Sequence, residues 1–148
     1  MAKKETQSDS WGTVENVITI MGTWSWVLVL VAAILDIVFG LAYLGVFSFG
    51  LWWAYSYYYG IGTGVWYIIA GVIELVLLFI YVLKTFVPKS KAKDWTFLLS
   101  DGIFSPKFPK MLLFGILLMI FSPAIDYFGG ALVLVPAILS MIFAPKSK

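Results

Sequence analysis

The sequence predicts an all-α integral membrane protein: a bundle of four transmembrane helices with one or two amphipathic helices lying in the interface. Three observations carry that prediction. Of 148 residues, 61% are hydrophobic and only 12% are charged, about half the charged share of a soluble domain. The apolar residues come in long blocks rather than in the stripes of water-facing helices. All ten basic residues are lysines, gathered at 3–4, 84–110 and 146–148. Four crossings put these three groups on one side, whereas three crossings would split them. The length fits a single domain.

Residues 1–10 are polar and are expected to form a disordered tail. Lys3 and Lys4 are followed by the acid-containing stretch Glu5–Ser10, and the first apolar run is too long for a signal core, so that run reads as a retained anchor. In residues 11–22, Trp11, Val14, Val17, Ile18 and Met21 fall on one helical face. Two readings stay open: an interfacial helix anchored by Trp11, or the first turns of a long first helix. Residues 24–47 form the first span, apolar apart from Ser25 and Asp36. At helical rise they reach roughly 35 Å, enough to cross a core of about 30 Å.

Residues 48–63 carry no charge but many aromatics: Trp52, Trp53, Tyr55, Tyr57, Tyr58 and Tyr59. Indole and phenol groups favour the headgroup level, so this is an interfacial connection, ending in Gly60, Gly62 and Gly64. These glycines are not a phosphate loop, because no strand precedes them and no lysine follows. Residues 64–87 form the second span, with one acid, Glu74. Residues 88–109 form the charged loop, in which Trp95, Leu98 and Leu99 point to a second interfacial helix. The last apolar block is shorter than the about 40 residues that two crossings need. It reads as a third span over 110–127, a Gly129-Gly130 turn, and a fourth span over 130–144. The runner-up is a hairpin that enters and leaves on one side, tolerated only where protein covers its backbone. The positive-inside rule makes the lysine side cytoplasmic, with both termini there and the bundle in the plasma membrane.

The spans echo one another. Ala33-Ile34-Leu35-Asp36-Ile37-Val38 parallels Gly71-Val72-Ile73-Glu74-Leu75-Val76. Gly115-Ile116-Leu117-Leu118-Met119-Ile120 and Ala137-Ile138-Leu139-Ser140-Met141-Ile142 repeat the pattern. A duplicated hairpin and chance among few apolar letters both remain open.

The absence of His, Cys and Arg excludes disulfides, haem ligation, the usual zinc sites, thiol nucleophiles and Ser-His relays. No cofactor and no metal site are expected. A net charge of +2 is too small to indicate nucleic acid. The candidate functional residues are Asp36 and Glu74, because an ionised carboxylate at the bilayer centre costs at least ~2.5 kcal/mol. They lie about 18 and 20 Å from the cytoplasmic ends of their spans, hence at matching depth. Ala32, Asp36, Gly40 and Tyr43 share one face of the first span. Tyr67, Ala70, Gly71, Glu74 and Tyr81 share one face of the second. Small residues allow close helix approach, and Tyr43, Tyr67 and Tyr81 are candidate hydrogen-bond partners for the acids. Three roles are open to the acid pair: neutral, hydrogen-bonded helix contacts, a proton or cation path, or pairing with a partner subunit's cation. Lys89, Lys91 and Lys93 form a candidate contact for anionic lipid headgroups, or a topology signal alone. Asp126 is expected near the outer turn, solvated, with Trp24, Trp26 and Trp66 as interfacial anchors.

The Gly115–Phe121 run and the Gly129-Gly130 turn before an aliphatic helix give the whole chain a resemblance. It resembles the small four-span membrane proteins of uncharacterised function found in many prokaryotes, archaea especially. The resemblance implies the fold and no activity or site residues. The expected function is therefore non-enzymatic and structural. The chain would be an accessory subunit against a larger membrane complex, or a scaffold of its own copies in the lipid bilayer. The alternative is a small oligomeric proton or cation channel or transporter using Asp36 and Glu74.

Overall fold

The computed structural model describes residues 2–45, 52–102 and 108–145. They are helical, with no strand among the described residues beyond an isolated bridge between Gly102 and Pro109. Two helices, Ser10–Tyr43 and Gly60–Lys91, are long and apolar enough to cross a membrane, and two shorter apolar helices accompany them.

Helix α1 runs unbroken from Ala2 to Tyr43. Residues 2–10, expected as a disordered tail, continue the same helix. Of the two readings of residues 11–22, the observed one is the start of a long first helix. Nothing in Met21-Gly22-Thr23 breaks it, because Gly22 is buried where the chain needs a small residue. A Cβ there would lie 2.5 Å from Ser90 Oγ.

Helix α2 (Trp52–Leu77) is kinked at Gly60, where φ is 72°, a conformation open to glycine. It passes into a π-helical stretch, Leu78–Phe86, and then into α3, Val87–Lys91. The wide turn has a cause in the sequence. Pro88 has no N–H, and its ring would clash with the preceding turn of a regular α-helix. The Val87 N–H accordingly bonds to Val82 O, five residues back. The expected second span, 64–87, lies within this continuous rod. The connection expected at the interface falls partly outside the described residues, which omit 46–51 and the side chains of Trp52–Tyr59.

Helix α4 (Trp95–Ser100) is the short helix expected within the charged loop. Asp94 caps it by accepting from the Phe97 N–H at 3.2 Å and also accepts from Lys89 Nζ at 2.9 Å. Those two bonds hold the Asp94 carboxyl below its usual range. A depressed carboxyl stabilises the fold above its ordinary value and loses that contribution as pH falls through the lowered one. Asp94→Asn should therefore lower the thermal midpoint slightly at neutral pH and flatten its fall on acidification. An unchanged acid limb in detergent melts would contradict this. Beyond α4, Asp101 and Lys110 pair at 2.7 Å and close the ends of the loop.

The third and fourth spans expected over 110–127 and 130–144 appear as shorter helices. Helix α5 is Lys110–Ile120, 11 residues, and α6 is Ala131–Phe143, 13 residues. At helical rise they reach about 16 and 20 Å, less than a core of about 30 Å. Pro123 starts a single 3₁₀ turn, Pro123–Ile125, and Asp126 and Tyr127 follow with φ of 51° and 65°. Helices α5 and α6 form a tight antiparallel hairpin: a Cβ at Gly115 would lie 2.8 Å from Leu134 Cα. The hairpin rests mainly on α1 through α6.

The principal interface joins α1 and α2. Gly40 faces Gly64 and Ile68, and Gly71 faces Ala33, Asp36 and Ile37. The apolar core gathers toward the lysine end, where Ile18, Leu78, Val82, Phe86, Leu98 and Met111 are buried together. The four echo positions, Asp36, Glu74, Leu118 and Ser140, are all fully buried.

Candidate functional site

The site is where the α1–α2 interface meets the turn of the hairpin. Asp36 and Glu74 are both 0% exposed, and their carboxyls lie within hydrogen-bonding reach of one another. The stripes read from the sequence bring them together. Ala32, Ala33, Gly40 and Ala70 are buried beside them, and Gly71 lets the α1 backbone approach.

The third side of the site comes from the turn Ser122–Gly130. The Ala124 N–H donates to Asp36 Oδ1 at 2.7 Å. Ser122 Oγ donates to Met119 O at 3.1 Å and accepts from the Gly129 N–H at 2.9 Å, which folds the turn back on itself. Gly129 sits against the second acid, since a Cβ there would lie 2.7 Å from Glu74 Oε1. Asp36 Oδ2 and both Glu74 oxygens have no partner among the described residues when the acids are counted as acceptors only.

The tyrosines take other places. Tyr43 and Tyr67 meet edge to face at 5.3 Å, on the side of the acids away from the lysines. Tyr81 stacks on Phe114 at 4.1 Å and on Phe86 at 6.3 Å. The hydrogen bonds expected from tyrosine to Glu74 are not made, because neither Glu74 oxygen has a partner. The donor found at the pair is the Ala124 backbone. Its neighbourhood is marked in the sequence by Pro123 and the Gly129-Gly130 pair, but a main-chain donor leaves no side-chain signature.

The lysine cluster is partly occupied. Lys89 pairs with Asp94 at 2.9 Å and lies 4.1 Å over the Phe97 ring. Lys93 donates to Asn16 at 2.8 Å and sits 4.0 Å from Glu15. Lys91 is exposed and makes no ion pair among the described residues. Asp126 is exposed, as are Tyr127 and Phe128. Trp24 and Trp66 are exposed as well.

No group of three metal-ligating side chains occurs among the described residues. The arrangement offers two buried carboxyls, one main-chain donor and no cation. It has the chemistry to hold a proton and to fasten a turn. Fold and site together define the class: an all-helical chain with two helices able to span a membrane and a short hairpin docked on a buried acid pair. Compared with family models, curated proteins and solved structures, the chain matches none.

Proposed function

We propose that the chain is a non-enzymatic integral membrane protein of the plasma membrane, packing as an accessory subunit against a larger complex or as a scaffold against its own copies. In this reading α1 and α2 cross the bilayer, and α5–α6 is a re-entrant hairpin entering from the lysine side, which is cytoplasmic. Both termini stay on that side, because a returning hairpin adds no net crossing. The same reading is the runner-up weighed for the last apolar block, and it departs from the four crossings of the small prokaryotic proteins the chain resembles.

One observation carries the proposal: Asp126 is exposed on the turn that docks on the buried acid pair. Glu74 lies about 21 Å from Gly60 and about 15 Å from Lys84 at helical rise, near the middle of the apolar slab. Ala124 is bonded at that level, and Asp126 and Tyr127 come within electrostatic range of Tyr67. Acids within a bilayer face protein or water rather than lipid, and non-helical backbone there needs the same cover. Among the described residues Asp126, Tyr127 and Phe128 stay exposed on the turn, and in this reading a neighbouring subunit supplies the cover.

Extraction from the native membrane in mild detergent, followed by particle mass and subunit content, tests this. A complex with larger subunits or a defined homo-oligomer is expected. A stable monomer with Asp126 accessible to water would overturn it. The second reading, an oligomeric proton or cation channel, is favoured by the unpartnered carboxyl oxygens of Asp36 and Glu74. It requires flux that Asp36→Asn and Glu74→Gln abolish with assembly intact, and unchanged flux in both variants would sink it.

A further inference from the structure

We propose that Asp36 and Glu74 form one proton-binding site, holding a single proton between Asp36 Oδ2 and Glu74, with the hairpin turn as its roof. Buried polar atoms are nearly always hydrogen-bonded, yet three of these four carboxyl oxygens lack a partner when no proton is placed on them. Ionised carboxylates only accept. No bond can form between two of them, and two like charges in one dry site oppose each other.

A single proton resolves most of this. Placed on Glu74, it makes an O–H donor within reach of Asp36, whose Oδ2 has no other partner. Asp36 then accepts from Glu74 on one oxygen and from the Ala124 N–H on the other. The net charge of the pair falls from two to one, and the remaining charge sits on the carboxylate with two donors. Only one Glu74 oxygen then stays unpartnered, where three carboxyl oxygens of the pair were before.

The surroundings hold nothing that does the proton's work. The other titratable groups along the acid-bearing faces of α1 and of the α2 rod are Tyr43 and Tyr67 on the side away from the lysines and Tyr81, stacked on Phe114, on the lysine side, and on the turn they are Asp126 and Tyr127. Helix α6 carries no titratable side chain, and the only one on α5, Lys110, is at its far end, paired with Asp101. A divalent cation is poorly matched, with no third carboxylate, His or Cys in reach among the described residues. Both acids lie in the interior of the chain, however the hairpin sits in a bilayer and whatever covers Asp126.

The test uses the full chain in lipid nanodiscs. The carbonyl stretch of protonated carboxyl groups is followed by infrared spectroscopy against pH, and dicyclohexylcarbodiimide is the chemical probe. That reagent adds to a protonated buried carboxyl: the acid proton moves to a carbodiimide nitrogen as the carboxyl oxygen bonds the carbon. At neutral pH we expect one protonated-carboxyl band per chain, and one adduct mapping to Asp36 or Glu74. Glu74→Gln should abolish both signals, because Asp36 then keeps two donors and stays ionised. Asp36→Asn should retain the band, now from Glu74 alone. No band and no adduct in folded wild-type protein would overturn the proposal, even if neither variant folds. Two bands per chain would overturn the single proton. Loss of the band on adding sodium at constant pH would assign the site to a metal cation instead.

Discussion

Gly71→Leu should be the most damaging single substitution in the α1–α2 pair, lowering stability by about 3 kcal/mol or more. A Cβ on Gly71 would lie 2.7 Å from Ala33 O and 2.7 Å from Ile37 Cγ1, with Asp36 Cβ at 3.2 Å. The first of these neighbours is main chain and cannot rotate away. The helices must separate, and separation pulls Glu74 from Asp36 as well as opening the interface. In a bilayer the loss is sharpened, because close packing rather than expulsion of apolar surface from water holds such helices together. Gly40→Leu should act similarly, since its Cβ would meet Gly64 O at 2.8 Å. Gly12 provides the contrast: it lies in the same long helix with nothing within 4 Å of an added Cβ. Gly12→Ala should be neutral or stabilising by about 0.5–1 kcal/mol. Unfolding in mixed detergent micelles, followed by circular dichroism, reads all three. Equal midpoints for the Gly71 and Gly12 variants would refute the account of the interface.

What the sequence made legible here was whatever depends on periodicity. The stripe through Ala32, Asp36 and Gly40 and the stripe through Ala70, Gly71 and Glu74 meet because helical spacing puts each set on one face, and matching depth follows from the same arithmetic. The short helix after Asp94 was legible for a local reason, the helical spacing of Trp95, Leu98 and Leu99 within the charged loop; its cap, Asp94, was not. Of three further features, two stayed open between alternatives and one was not legible, each with its own cause. The continuity of α1 through Gly22 depends on Ser90, remote in sequence, occupying the space a side chain would need. The π-helical stretch is forced by Pro88, which a span count reads only as the end of a helix. The reach of α5 and α6 stayed open because the lysine positions demand only an even number of crossings. Two crossings plus a returning hairpin satisfy them as well as four crossings do. The lengths around Pro123 and Gly129-Gly130 favour the hairpin, and the Ala124–Asp36 bond binds its turn at the level of the acids.

That difference leads to a prediction with two opposite outcomes. If the hairpin returns at mid-depth, a fluorophore on Phe128→Cys lies within the acyl-chain region. If α5 and α6 cross completely, the same residue lies among the headgroups of the outer leaflet. Phe128 is suited to the test because it is 60% exposed, and its side chain makes none of the bonds that hold the turn. Bimane attached there, in vesicles containing lipids with a nitroxide on the headgroup or along the acyl chain, reports depth by which lipid quenches it. Stronger quenching from the acyl chain is expected. The effect should be large, because the turn and the outer end of α2 at Gly60 are separated by about 10 Å or more at helical rise, comparable to a third of the apolar thickness. A matched label at Ile61→Cys, 74% exposed and at the outer end of α2, should be quenched chiefly from the headgroup. If both sites report the headgroup level, the hairpin crosses. The exposed Asp126 then needs no cover, and the strongest reason for a partner subunit disappears with it. If only Ile61→Cys does, the buried acids and their roof lie where a charge has the greatest need of a proton.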